Sequence, residues 1–276
     1  MAGATTAKDD DCQQINPATR VVLIFSHCSA FEMPPAIHNF PNLLGLEVYN
    51  STIERWDRSA ELSISHHKHH KRLAYVQIIL SNMSTVPEGM ITALPANLQD
   101  IEFSYCNLTM LPDSLASHWH PISVLIVENC LITEVPQVLM RLQFDELSLI
   151  GNKITTLDPP WQRPVNSLST GLSLNLNPLK EIPRHPPVDD FSTMTYVSLE
   201  GTDITWLPEW ILDADSQFRV YLNGSVFCHQ LDSESRANRF GLAARITCIY
   251  RDYRGSSFVP IEFLAVQRPL IPKPPP

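Results

Sequence analysis

Glycine is scarce in this chain: nine residues in 276. Nucleotide-binding α/β folds depend on glycine-rich turns that let the backbone approach phosphate, and so small a supply argues against them. Basic charge is short as well. Twenty Lys and Arg stand against 29 Asp and Glu, for a net charge of −9. A nucleic-acid binder normally carries a basic face, so neither DNA nor RNA is expected as a partner. No apolar run reaches the roughly 18 residues of a membrane helix. Residues 1–14 contain Lys8, Asp9, Asp10 and Asp11 but no apolar centre of a secretory leader. Phosphate-loop, Gly-x-Ser-x-Gly, His-Glu-x-x-His and Cys-x-x-Cys patterns are all missing. The expectation is a protein with no catalytic residues, no cofactor and no metal.

Proline, in contrast, is abundant, at 23 residues, and hydrophobic residues make up 44 % of the chain against 18 % charged. That balance supports a sizeable core and excludes gross disorder. The prolines must lie between elements, because proline breaks helix and strand interiors.

An internal period accounts for both features. The segment Phe144-Asp145-Glu146-Leu147-Ser148-Leu149-Ile150-Gly151-Asn152-Lys153-Ile154-Thr155-Thr156-Leu157 fits LxxLxLxxNxLxxL, with Phe at the first apolar position. The same frame returns with its ninth position at Cys28, Ser51, Ser81, Cys106, Cys130, Asn152, Asn177, Thr202 and Ser225. Positions four and six fall on one face of a short strand, because side chains alternate along a strand. They form the pairs Leu23/Phe25, Leu46/Val48, Val76/Ile78, Ile101/Phe103, Leu125/Val127, Leu147/Leu149, Leu172/Leu174, Val197/Leu199 and Val220/Leu222. Position nine turns inward, where a small polar group satisfies loop backbone. Positions eleven and fourteen add core, and a proline follows the fourteenth at Pro34, Pro87, Pro112, Pro136, Pro183 and Pro208. No single unit buries its own apolar face, so neighbours must stack into a parallel sheet.

This pattern resembles the leucine-rich-repeat family, in its short Leu-Pro-type members. The resemblance implies an α/β solenoid: a horseshoe with a parallel concave β-sheet and an irregular or short-helical convex side. Residues 1–19 are then an N-terminal lead or cap, 20–227 a solenoid of about nine repeats, 228–262 a C-terminal cap, and 263–276 a Pro-rich tail. In the cap, Phe240, Leu242, Ile246 and Tyr250 are spaced as an apolar helical stripe. The tail holds one Pro-x-x-Pro spacing, Pro269 to Pro272, and reads as a linker. Two further stretches, Pro35 to Phe40 with Tyr49 to Ile53, and Leu199 to Ile204 with Leu207-Pro208-Glu209-Trp210, are similar to repeats of oomycete leucine-rich-repeat membrane proteins. That likeness implies an extracellular or receptor-like ectodomain. The alternative is a cytosolic, cytoplasmic signalling scaffold built on the same repeats.

Positions three, five and seven of each unit face the concave side. Glu47, Asp100, Glu102, Glu128, Glu146 and Glu200 supply acidity there, and Tyr49, Tyr75, Tyr196 and Tyr221 supply flat amphipathic anchors. Charge of one sign steers an opposite partner, and aromatics on a rigid sheet are typical anchors. The expected partner is a protein or peptide with a basic or mixed basic–apolar surface. Four glycosylation sequons begin at Asn50, Asn82, Asn107 and Asn223. Cys228 and Cys248 lie outside the regular repeats and are placed for a cap disulfide, whereas Cys106 and Cys130 read as buried thiols. Cys28 fits the core but is also open to a bond with Cys12. The insertion Asp57 to Arg72, with His66-His67-Lys68-His69-His70, reads as a solvated basic loop rather than a metal site.

Overall fold

The apolar pairs at positions four and six set the architecture. In a computed structural model, which describes residues 16, 18–19, 21–63, 70–157, 171–184, 194–213, 218–231 and 246–248, every one of these side chains is buried. The strands are β1 (Val21–Ser26), β2 (Phe31–Glu32), β3 (Leu43–Tyr49), β4 (Ile53–Arg55), β5 (Tyr75–Ile79), β6 (Asp100–Ser104), β7 (Ile122–Glu128), β8 (Phe144–Ser148), β9 (Gly171–Ser173), β10 (Tyr196–Ser198), β11 (Arg219–Tyr221) and β12 (Ile246–Thr247). All but β2 and β4 form one ten-stranded sheet in chain order. Its pairings are parallel throughout. β2 and β4 make a small parallel pair of their own.

Register follows the repeat frame from Val22 onward, with one shift between Val21 and Val22 where β1 enters the sheet. Ile24, Glu47, Gln77, Glu102, Ile126, Ser148, Ser173, Ser198 and Tyr221, each at position five, are aligned across successive strands. A one-residue slip would turn each Leu/Val pair out of the core, which is why the register is so strongly specified. The core itself is one continuous cluster running from the first repeat to Cys228.

Position nine is buried in all nine repeats. Asn177 shows why a polar residue belongs there. Its Nδ2 donates to the carbonyls of Leu149 (2.9 Å) and Leu174 (3.0 Å), and its Oδ1 accepts from the Ile154 amide (3.0 Å). Asn152 does the same one repeat earlier, toward Val127, Leu149 and Ile132. Backbone groups that would lie unpaired in the core are thereby satisfied.

After position fourteen, proline ends the extended run and short helical turns begin. Turns of 3-10 helix at Pro35–Asn39, Glu88–Met90 and Gln137–Met140 follow Pro34, Pro87 and Pro136. Proline's fixed φ suits the start of a helical turn. Short α-helices lie at α1 (Leu115–His118), α2 (Glu209–Asp213) and α3 (Val226–Gln230). Among the described residues no helix is long and apolar enough to cross a membrane.

Two features depart from the sequence expectations, and a third was not anticipated by them. Ile246 sits on a strand and not on a helical face: β12 pairs with β11 through Val220 and Tyr221. The exposed edge of β11 offers unpaired backbone groups, and Leu222 donates to the Thr247 carbonyl at 2.9 Å. Phe240, Leu242 and Tyr250 lie outside the described residues, as do residues 1–15 and the Pro-rich tail. The insertion is not wholly solvated either. Ala60, Leu62 and His70 are buried, with the His70 ring 6.0 Å from that of His38; residues 64–69 lie outside the described residues. Finally, position eight is left-handed in every repeat. His27, Asn50, Leu80, Tyr105, Asn129, Gly151, Leu176, Gly201 and Gly224 all have φ between 44° and 70°. Their amides still extend the ladder, as when Asn50 donates to the Ile79 carbonyl and Gly151 to that of Asn175.

Candidate functional site

Positions three, five and seven lie on the face of the sheet turned away from the core. Their exposure, however, differs by column. Adjacent strands stand only about 4.8 Å apart, so side chains at positions five and seven pack against their neighbours above and below. Glu47, Tyr49, Glu102 and Glu128 are accordingly buried, at 6 %, 1 %, 5 % and 2 % exposure. The expectation of a uniformly exposed acidic ladder is corrected to this extent. Asp100 is exposed, and Glu146, Glu200, Tyr75, Tyr196 and Tyr221 are half-buried.

The buried carboxylates form a hydrogen-bonded row. Tyr75 Oη donates to Glu47 Oε1 at 3.1 Å. Glu102 accepts from Gln77 Nε2 at 2.9 Å and from Ser104 Oγ at 2.7 Å. Glu128 accepts from Ser148 Oγ. Desolvation by burial pushes the Glu128 carboxyl up to about 8, reinforced by the charge of Glu102 and opposed by the Ser148 bond. Burial also raises Glu102, against its bonds to Ser104 and Gln77. Burial raises half-buried Glu200 too. Glu128 is therefore largely a neutral acid at pH 7, and its part of the face carries less negative charge than the residue types imply.

Two tyrosines rest on glycines of the preceding repeat. A Cβ at Gly45 would stand 2.1 Å from the Tyr75 ring, and one at Gly171 would stand 2.4 Å from the Tyr196 ring. Tyr221 then meets Tyr196 edge-on, with ring centroids 6.1 Å apart. The pairing of Gly at position three with Tyr at position three of the next unit was present in the sequence as a signal. It becomes legible only once the register is known.

Among the sequon asparagines, Asn50, Asn82 and Asn107 are exposed and Asn223 is half-buried. Asn107 Nδ2 donates to Asn82 Oδ1 at 2.7 Å. Cys228 and Cys248 form a disulfide, with Cα atoms 5.5 Å apart. Cys28, Cys106 and Cys130 are buried free thiols. The hydrogen bond with Cys130, and then burial, push the Cys106 thiol well up. A bond from Cys28 to Cys12 is thus not formed, and Cys12 itself lies outside the described residues.

No family model and no curated protein matches the chain. Solved structures do. The crystal structure of the TLR13–ssRNA13 complex matches with a TM-score of 0.65 at 16 % identity, over 79 % of this chain and 30 % of that one. The fold is similar to that of TLR13. TLR13 is a leucine-rich-repeat protein, and the long parallel sheet described above fits that class. This chain spans under a third of TLR13's length, and at such identity the likeness concerns the fold alone. The ligand of TLR13 in that complex is single-stranded RNA, in tension with the expectation from charge that this chain takes no nucleic acid.

Proposed function

We propose that the chain is a non-enzymatic recognition domain that binds a protein or peptide on the concave, non-core face of its repeat stack. The observation that carries this reading is the pair of tyrosine platforms. Tyr75 over Gly45, and Tyr196 over Gly171 with Tyr221 beside it, present flat, pre-positioned aromatic area on a rigid sheet. Immobile aromatics lose little entropy on binding and commonly dominate interface energy. Asp100, Glu146 and Glu200 supply accessible acidity around them, so the partner carries a basic or mixed basic–apolar surface. Glu47, Tyr49, Glu102 and Glu128 act from beneath, holding the floor of the face in shape.

An extracellular or receptor-like setting agrees with the Cys228–Cys248 bond, since disulfides persist in oxidising compartments. Exposed sequon asparagines at Asn50, Asn82 and Asn107, with Asn223 a fourth, are the proposed glycan sites.

The test places photo-crosslinking side chains at Asp100 and Glu146, and as a control at Trp210 on the opposite side of the repeat. A partner captured from the face is then measured against Tyr75→Ala and Tyr196→Ala. Faster dissociation in both variants supports the reading. Capture only from Trp210, or tight binding of a single-stranded RNA oligonucleotide on the same face in place of a protein, defeats it.

A further inference from the structure

A second feature lies apart from the tyrosine platforms, at the strand ends of the first three repeats. Left-handed backbone at His27 (φ 60°), Asn50 (φ 44°) and Leu80 (φ 53°) places these three side chains at equivalent turns in successive units. With Ser29, Thr52 and Asn82 they line a cleft of about 330 Å³. That volume falls at the lower end of the range for small-molecule sites, roughly 300–1,000 Å³. From the sixth repeat on, position eight is glycine at Gly151, Gly201 and Gly224, so no three successive units there build the same walls.

The chemistry of the lining is specific. Among the described residues, no Asp, Glu, Lys or Arg contributes to it. Asn50 Nδ2 donates to His27 Nδ1 at 2.8 Å. A ring nitrogen that accepts carries no proton, so the neutral imidazole holds its proton on Nε2. That Nε2 is buried with no hydrogen-bond partner among the described residues. Asn82 Oδ1 is taken by Asn107 Nδ2, which leaves the Asn82 amide N–H groups as donors. Hydroxyls of Ser29 and Thr52 give and accept, and Leu80 adds an apolar surface. Uncharged donors and hydroxyls beside one aliphatic wall match a neutral ring that bears hydroxyl and acetamido groups. They do not match a phosphate or a cation.

We infer that this cleft is a subsite for a neutral pyranose of the N-acetylhexosamine type. The sugar has two possible sources: a saccharide from outside the chain, or the first residue of a glycan carried on the cleft's own rim. Asn50 and Asn82 begin sequons there, and only this second source rests on the extracellular reading. The concave-face proposal is independent of either.

The experiment follows the His27 ring signals by NMR in the full chain. In one arm, unglycosylated protein is titrated with N-acetylglucosamine. A saturable shift, weakened about tenfold or more by Leu80→Asn, assigns the site to an external sugar. Asparagine tolerates left-handed backbone, so this variant removes the apolar wall without unfolding the turn, and its melting temperature confirms that. In the other arm, the glycosylated chain is compared with the unglycosylated one. A His27 shift present only with glycan, and lost in Ser84→Ala or Thr52→Val, which abolish the two sequons while leaving Asn82 and the Asn50–His27 bond in place, assigns the site to the chain's own sugar. His27 signals that move in neither arm overturn the inference. So does a titration shift that Leu80→Asn leaves unchanged.

Discussion

Replacing Glu128 with Gln should remove most of the pH dependence of stability between weakly acidic and weakly alkaline solution. Glu128 is 2 % exposed and keeps its proton up to about 8, whereas an unfolded Glu titrates near 4.5. Below the lower value both states are protonated and the group contributes no difference. As pH rises, the unfolded chain ionises first while the folded chain must either hold its proton or bury a charge. Stability therefore falls through the window and levels off above the folded value. Each pH unit in that window shifts the folding equilibrium by up to tenfold, which gives on the order of 4–5 kcal/mol in all. Glutamine keeps the shape and an oxygen that accepts from Ser148 Oγ, but does not ionise. Urea denaturation at about pH 4, 7 and 9 would show parent and variant nearly equal at the acid end. The variant should pull ahead by several kcal/mol at the alkaline end. Glu102 and Glu200 shift in the same direction, so a shallower fall persists in the variant. Parallel pH profiles for the two proteins would refute the claim that burial, and not exposure, defines this carboxyl.

Truncating Leu149, which is fully buried, to Ala should cost about 2–5 kcal/mol; a denaturation midpoint that hardly moves would place the strand register in error. Asn177→Ala strands two core carbonyls and one amide, and should cost about 3 kcal/mol by the same assay. At position eight the two signs separate. Leu176 is 63 % exposed at φ 57°, and Leu176→Asn should stabilise by about 0.5–1 kcal/mol. Gly151→Ala should destabilise by at least about 1 kcal/mol, since its Cβ would stand 2.2 Å from Asn129 Oδ1 at φ +67°. Reducing the Cys228–Cys248 bond should lower stability by about 3 kcal/mol for its 20-residue separation, and a calorimetric scan with and without reductant measures it.

The sequence alone determined the repeat frame, and with it the core. Leu147 and Leu149 are inward because they alternate with Glu146 and Ser148, and that alternation is a property of a single strand. Asn152 and Asn177 declared the inward turn in the same local way. Stacking then followed, since no unit of this size closes its own apolar face. What alternation cannot tell is how deeply a side chain on the far face is covered. Glu102 and Asp100 occupy that face two residues apart on one strand, yet one is 5 % exposed and the other open to solvent. The difference comes from Ser104 on the same strand, and from Gln77 and the neighbouring strands, which lie some 25 residues away in the chain but within one strand spacing in the sheet. The same holds for Tyr75 on Gly45 and for the cleft between His27, Asn50 and Leu80. It holds too for β12, whose place was decided by the open edge of β11 and by Cys228, because contacts between repeats exist only once the register has brought distant residues side by side.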